Sequence, residues 1–208
     1  ANPIQRAINT LFAASEPGAF YDPSDMSTLF QDSAGTVPVT AVEQLVGLIL
    51  DKSKGLVLGP ELVTNGDFSN GTTGWSAYNA VISAVNGTLK VDDSSNLGVN
   101  SSAVQQLNLV AGRTYLLTFD VVSVSGAWSI GFATTDSSAG IAFHSAMLSK
   151  NTTGPQRFVF TYDGTRNFLF MDADGSGIVF YDNISVKELP GNHASQTTTP
   201  KRPIYSRR

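Results

Sequence analysis

Thr114-Tyr115-Leu116-Leu117-Thr118-Phe119-Asp120-Val121-Val122 places Tyr115, Leu117, Phe119 and Val121 on one side of an extended chain. Leu116, Thr118, Asp120 and Val122 fall on the other. Successive side chains of a strand point to opposite faces, so this is the alternation of a half-buried sandwich strand. Similar runs lie on both sides of it. Upstream, Asn79 to Val85 and Thr88 to Val91 flank Asn86-Gly87, whose residues tolerate the positive φ of a tight hairpin turn. Ala103 to Leu109 leads through Ala111-Gly112 into the opening strand. Downstream come Trp128 to Thr134, Ile141 to Ala146 and Gln156 to Tyr162, the last with Phe158, Phe160 and Tyr162 on one face. Asn167 to Asp172 sets Phe168 and Phe170 against Leu169 and Met171. Asp174-Gly175-Ser176-Gly177 reads as a turn, and a last strand runs from Ile178 to about Leu189.

These runs predict an all-β sandwich of about nine or ten antiparallel strands over residues 61–189. No helical pattern of 10–15 residues alternates with them, which argues against an α/β sheet. Composition agrees. Of 208 residues, 41% are hydrophobic, only 14% are charged and 19 are glycine, which suits sheets joined by tight turns. Such a length buries a core without staples, and with no cysteine neither disulfides nor thiolate metal sites are available.

The flanks differ. Residues 1–60 read as an arm of short elements. Pro3 to Ala14 spaces Ile4, Ile8, Leu11 and Phe12 for a brief helix, and Ser24 or Asp25 is placed to cap a turn holding Met26, Leu29 and Phe30. Asp32-Ser33-Ala34-Gly35 reads as a further turn, with short strands expected at Thr36 to Thr40 and Val46 to Leu50. The arm's Phe12, Phe20, Tyr21, Phe30 and Leu48 need cover from the central unit or from another subunit. Residues 190–208 open on a Pro-Gly break. Lys201, Arg202, Arg207 and Arg208 put +4 there, against −8 on the rest of the chain. Four cations with one aromatic, Tyr205, make a weak case for nucleic acid. No run of 18 apolar residues occurs, and Ala1-Asn2-Pro3-Ile4 lacks the pattern of a secretion signal. The end at Arg207-Arg208 reads as a truncation point.

Several stretches carry resemblances. Glu61-Leu62-Val63-Thr64-Asn65-Gly66-Asp67-Phe68-Ser69, Gly74-Trp75, Gln105 with Leu107, Gly112-Arg113-Thr114-Tyr115 and Tyr181-Asp182-Asn183-Ile184-Ser185-Val186 resemble the jelly-roll carbohydrate-binding modules of bacterial glycanases and phage structural proteins. The fold implied is a jelly roll. In the flanks, Phe20-Tyr21-Asp22-Pro23-Ser24-Asp25, Thr28 to Asp32 and Leu50-Asp51-Lys52-Ser53 resemble a segment of bacteriophage structural proteins. There Asp-Lys-Ser runs directly into Gly-Asn-His-Ala. Here Gly191-Asn192-His193-Ala194 follows Ser53 by 138 residues. The sandwich therefore reads as an insert, and residues 1–57 and 190–208 are expected to meet.

The function implied is a non-enzymatic, outward-facing decoration or fibre protein on the surface of a phage virion. Its arm would pack on other virion proteins and on copies of itself, as a trimer or on a capsid lattice. The alternative is a module adhering to host-surface carbohydrate. For glycan contact the candidates are Trp128, Tyr78, Gln105, Arg157 and Asn108, an aromatic platform with polar side chains; the competing reading of Trp128 is core filling. Asp182 falls on the apolar face in the phase set by Ile178, Phe180, Ile184 and Val186. Three readings follow: a structural calcium shared with Asp67 and Ser69, as the resembled modules hold where first and last strands meet; a carboxylate capping backbone N–H groups; or a bulge that resets the phase. Asp172, Asp174 and the following glycines read as a plain turn, and Asp92 and Asp93 as a solvated loop. With two histidines (His144 and His193), no HExxH, no G-x-S-x-G and no phosphate loop, the residues offer no catalytic constellation.

Overall fold

The computed structural model describes residues 3–13, 16–94, 101–137, 142–143 and 150–206. Three short strands and a helix belong to the flanks: α1 (Pro3–Leu11), β1 (Leu29–Phe30), β2 (Leu48–Ile49) and β11 (Ala194–Ser195). Between them lie β3 (Ser76–Tyr78), β4 (Val81–Val85), β5 (Thr88–Asp92), β6 (Ser102–Gln106), β7 (Thr114–Ala133), β8 (Ala142–Phe143), β9 (Gly154–Thr161) and β10 (Phe168–Glu188). The middle of the chain is a jelly-roll β-sandwich of these eight strands.

Among the described residues fewer strands occur than expected, because β7 and β10 are unusually long, at 20 and 21 residues. β10 runs through Asp174 to Gly177, which reads as a turn, and β7 runs through Ser125-Gly126, ahead of the strand expected to start at Trp128. The two pair antiparallel along nearly their whole length, with a register shift between Asp174 and Ile178. Glycine at the bend is a steric requirement. A Cβ on Gly126 would sit 2.9 Å from the Asp174 carbonyl oxygen, and one on Gly177 would sit 2.1 Å from that of Ser125. The bent ribbon serves both layers. Its Phe168–Asp172 end pairs with β6, and β6 with β3. Its Ile178–Tyr181 portion pairs with β5, and Thr114–Val121 pairs with β9. One layer is thus β3-β6-β10-β7-β8 and the other β4-β5-β10-β7-β9. The β4–β5 hairpin closes on Asn86 and Gly87 at φ 52° and 77°, as its dipeptide requires.

Tyr115, Leu117, Phe119 and Val121 all point inward and are at most 2% exposed. Phe119 sits at the centre, with the Trp128, Tyr181 and Phe158 rings at 5.4, 5.9 and 6.0 Å. Each such side chain contributes about 1.5–3 kcal/mol by leaving water. In β10 the phase reverses. Val179 and Tyr181 are buried, then Ile184 and Val186; between them Asn183 adopts φ 52° and the register slips between Asp182 and Ser185. The bulge moves Asp182 off the apolar face, which corrects the reading based on Phe180.

The two flanks meet in a three-stranded sheet of order β1-β2-β11. Farther along the tail, Val46 N–H donates to Pro203 O, Glu43 N–H donates to Tyr205 O and Tyr205 N–H donates to Gln44 O, each at 2.8 Å. The expected strand at Thr36 to Thr40 is reduced to a single bridge, Phe30 to Pro38. The Asp32 carboxylate accounts for this. It accepts from Ala34, Thr36 and Val37 N–H, so the segment turns locally instead of laddering. Asp25 caps the Met26–Thr28 turn by accepting from Ser27 N–H.

Phe30, Leu48, Leu50 and Leu189 then bury against Val159 of β9. The Arg157 guanidinium lies 4.4 Å from the Phe30 ring centre and donates to Gly35 O, while Val159 N–H donates to Ala34 O. Phe12 and Phe20 are half-buried, and Tyr21 stays exposed with its hydroxyl on Asn192 O.

Asp51 joins the flanks. Its fully buried carboxylate accepts from the N–H groups of Phe20, Ser53 and Asn192, each at 2.8 Å, and from Ser53 Oγ. Its own N–H donates to His193 Nδ1, leaving Nε2–H of that ring for Leu189 O. Burial alone would raise the Asp51 pKa. The amide donors and the Ser53 hydroxyl outweigh it and hold the carboxyl below its ordinary value. A carboxyl depressed on folding stabilises above its unfolded pKa and loses that contribution as pH falls through the folded one. Asp51→Ala is expected to cost about 2–4 kcal/mol at pH 7, because it orphans buried amides. Hydrogen exchange should speed up at Phe20, Ser53 and Asn192 first, and the deficit relative to wild type should shrink below about pH 4.

Candidate functional site

The five residues expected to hold a glycan do not converge. Trp128 is fully buried; its indole N–H donates to Thr152 O at 2.8 Å, and Lys150 Nζ lies 5.8 Å from its ring centre. A register slip at Val122, which sets Val121 opposite Tyr181 but Ser123 opposite Phe180, moves the inward side of β7 from odd to even positions. Trp128 therefore lies with Val124, Ile130 and Phe132 on the inner face, fills the core and offers no stacking platform. Gln105 is spent on the chain, accepting from Thr64 N–H and donating to Thr64 O and Gly74 O. Arg157 is spent on the base, as above. Asn108 is exposed after β6, and Tyr78 is half-buried, with its ring edge-on to Phe170 at 6.0 Å. Trp75 plugs the sandwich end beside Phe68, its ring 5.7 Å away.

Asp67, Ser69 and Asp182 are each engaged by their own neighbours. The Asp67 carboxylate accepts from Ser69 N–H and Oγ, and that of Asp182 accepts from Asn183 N–H. Asn183 Nδ2 donates to Asp120, opposite Asp182 on β7. The junction of first and last strands is closed by direct contact. Ile184 N–H donates to Gly66 O, and a Cβ on Gly66 would lie 1.9 Å from Ile184 O. Glu61 completes the closure, accepting from Val186 N–H, Ser185 Oγ and its own neighbours Leu62 and Val63. Among the described residues no three His, Cys, Asp or Glu side chains group to hold a metal. Melting with and without a chelator tests the calcium reading: with these oxygens already engaged, the thermal midpoint is expected to stay unchanged, and a fall on chelation would restore calcium.

The outer face of the β3-β6-β10-β7 layer carries the remaining chemistry. Cross-strand register sets Tyr78, Ser102, Asp172 and Ser129 in one row, Ser76, Val104, Phe170 and Gly131 in the next, and Gln106, Phe168 and Ala133 in a third. The centre of this face is closed, since Ser102, Val104, Ala133 and Phe170 are at most 2% exposed. Its third row opens into a cleft of about 340 Å³ walled by Thr64, Ser76, Gln106, Asp136 and Phe168. A larger groove of about 770 Å³ lies on the base, lined by Pro23, Leu29, Val46, Ile49, Pro203 and Ile204. In the basic tail Arg202 donates to the carbonyls of Gln196, Gln31 and Thr197, while Arg207 and Arg208 lie outside the described residues. No helix of the described residues is long and apolar enough to cross a membrane.

Asp172, read from sequence as part of a turn, is a fully buried strand residue held by Ser102 Oγ and Ser129 Oγ. The available signal was the double-apolar alternation of Phe168 to Met171, which marks a strand covered on both faces. Burial pushes its pKa up to about 7, with Asp174 adding to the rise and the two hydroxyls opposing it. A carboxyl raised on folding contributes its full stability below its unfolded pKa and loses it as pH rises through the folded one. The charged form costs on the order of 4 kcal/mol above that range. Asp172→Asn is expected to raise the thermal midpoint at pH 8 and to flatten the decline in stability between about pH 4 and 7.

No family model matches the chain, and no curated protein does. Solved structures do. The N-terminal CBM22-1–GH10 portion of Clostridium thermocellum xylanase 10B, solved with xylohexaose, is similar over 64% of this chain at 16% identity and a TM-score of 0.46. That overlap is 29% of the xylanase chain, so this chain spans under a third of its length. A family 16 carbohydrate-binding module is similar over 60% of this chain and 98% of its own, at 20% identity and 0.40. A CBM29-2 variant with mannohexaose is similar over 64% and 92%, at 15% identity and 0.45. These neighbours are jelly-roll carbohydrate-binding modules, and at such identities the likeness carries no ligand or residue role to this chain.

Proposed function

We propose that this chain is a non-catalytic glycan-binding module carried on a base made from its own two flanks. One observation supports the reading above the rest: the cleft at the third row of the outer face. A half-buried aromatic, Phe168, is flanked there by the Gln106 amide, the Asp136 carboxylate and the Ser76 and Thr64 hydroxyls. An aromatic face beside a few fixed hydrogen-bonding groups is the chemistry that recognises a pyranose ring, and it includes no activated nucleophile or tuned acid–base pair.

A second reading rests on the base. Its apolar groove and the exposed Ile204, Val42 and Val37 would seat against other subunits, as in a decoration or fibre protein on a phage particle surface. The sandwich would then project outward, and the two roles are compatible. Detecting the chain by mass spectrometry in purified particles tests that location, and its absence there removes the virion reading.

The glycan reading is tested on an array of plant, bacterial and host-surface glycans, followed by titration calorimetry. Gln106→Ala and Asp136→Ala are each expected to weaken binding about tenfold, the loss of one to two hydrogen bonds, with thermal midpoints unchanged. No binding across the array, or binding that neither substitution changes, would rule the cleft out.

A further inference from the structure

The two outer edges of the β4-β5-β10-β7-β9 layer are treated differently. On β9, Pro155 removes a donor, and the base lies against the strand through Arg157 and Val159. On β4 there is no such guard. Among the described residues its ladder bonds go only to β5, and the one further bond it receives, Thr88 Oγ1–H to Val85 O, also comes from β5. It has no proline and no charge, and Val81 and Val85 are 58% and 38% exposed.

From these features we infer that β4 is the docking edge for a second copy of this chain, paired antiparallel about a two-fold axis at Ser83. Backbone geometry supplies the first argument. In a two-residue hairpin the pair flanking the turn, here Val85 and Thr88, exchanges hydrogen bonds; so do Ser83 with Lys90 and Val81 with Asp92. The N–H and C=O groups of Ile82 and Ala84 therefore face the open side. Antiparallel pairing about Ser83 sets Ile82 against Ala84 of the second copy and satisfies all of these groups at once.

Side-chain symmetry supplies the second. Val81-Ile82-Ser83-Ala84-Val85 is close to palindromic, so the pairing sets valine against valine at both ends and serine against serine in the middle. Residues on one surface patch thus meet themselves, as a two-fold interface requires.

Charge supplies the third. The chain carries −4, yet Phe68 to Leu89 contains no charged residue, and the nearest charges on β5, Lys90 and Asp92, neutralise one another at 2.6 Å. Five residues a side fall in the small interface class, below about 1,200 Å², so the dimer depends on concentration.

Sedimentation equilibrium on the full chain tests this. Wild type is expected to pass from monomer to dimer with concentration, and Ser83→Lys, which sets ammonium against ammonium on the axis, to weaken association by about tenfold or more. Ser83→Cys gives an independent readout in a chain with no cysteine. Directly opposed residues of a non-hydrogen-bonded pair lie about 4.5 Å apart at Cα, within disulfide range. That variant is expected to oxidise to a covalent dimer much faster than Asn151→Cys, an exposed control in a loop. Three results would overturn the inference: a wild-type monomer up to roughly 500 µM, a dimer indifferent to Ser83→Lys, or equal oxidation of the two thiols.

Discussion

Two backbones crossing at van der Waals limits set the shape of this protein. Where β7 and β10 bend, the carbonyls of Ser125 and Asp174 occupy the space that side chains on Gly177 and Gly126 would need. The bend converts one long two-stranded ribbon into the shared spine of both layers. Every other sandwich strand adds to one end of it or the other. The core follows from the same geometry, because folding the ribbon over brings Phe119 and Tyr181 from one limb against Trp128 from the other. A side chain at either glycine would separate the limbs, and the layers would lose the centre they pack around.

A second closure, at Asp51, keeps the chain ends together. The base has too little apolar surface to be stable alone. It depends on a carboxylate that collects amides from three places: Phe20 in the first flank, Ser53 at its end and Asn192 beyond the sandwich. Because these partners are distant in sequence, the insertion costs the base nothing in continuity provided that the sandwich returns the chain to its starting point. The pairing of residues 59–62 with the end of β10 ensures this, through Gly59 N–H to Glu188 O and Leu62 N–H to Val186 O.

Periodicity made the sandwich legible from sequence, and its failures are local. Tyr115 to Val121 reads correctly because a clean period of two survives wherever one face is buried. The same rule leaves Asp182 open, and the bulge is the reading that holds, since the extra residue at Asn183 inverts the phase without altering composition. Gly126 and Asp174 to Gly177 look like turns because glycine marks both a reversal and a close crossing. Trp128 shows the same effect as Asp182: the slip at Val122 moves the inward side from the odd positions of Tyr115 to Val121 to the even positions of Val124 and Trp128, and composition does not reveal it. Gln105 and Arg157 were chosen for chemistry suited to ligands, and the fold uses the same donors on Thr64, Gly74 and Gly35. The cleft was illegible for a different reason. Ser76, Gln106, Asp136 and Phe168 come from four separated segments, and only the cross-strand register brings them together.

The two fully buried carboxylates show how local donors decide what burial does. Asp51 and Asp172 are equally hidden from solvent, yet one is held below its ordinary pKa and the other is pushed up to about 7. Desolvation disfavours charge at both. At Asp51 three backbone amides oppose it; amides can only donate, so their preference for the charged form is fixed. At Asp172 the partners are two serine hydroxyls, which donate or accept by rotation and favour the charged form less, while Asp174 adds like charge. Acidification therefore weakens the joint between the flanks while it relieves the sandwich. The two halves respond to pH with opposite sign, a consequence of the donors that face each carboxyl together with the deeper burial of Asp172.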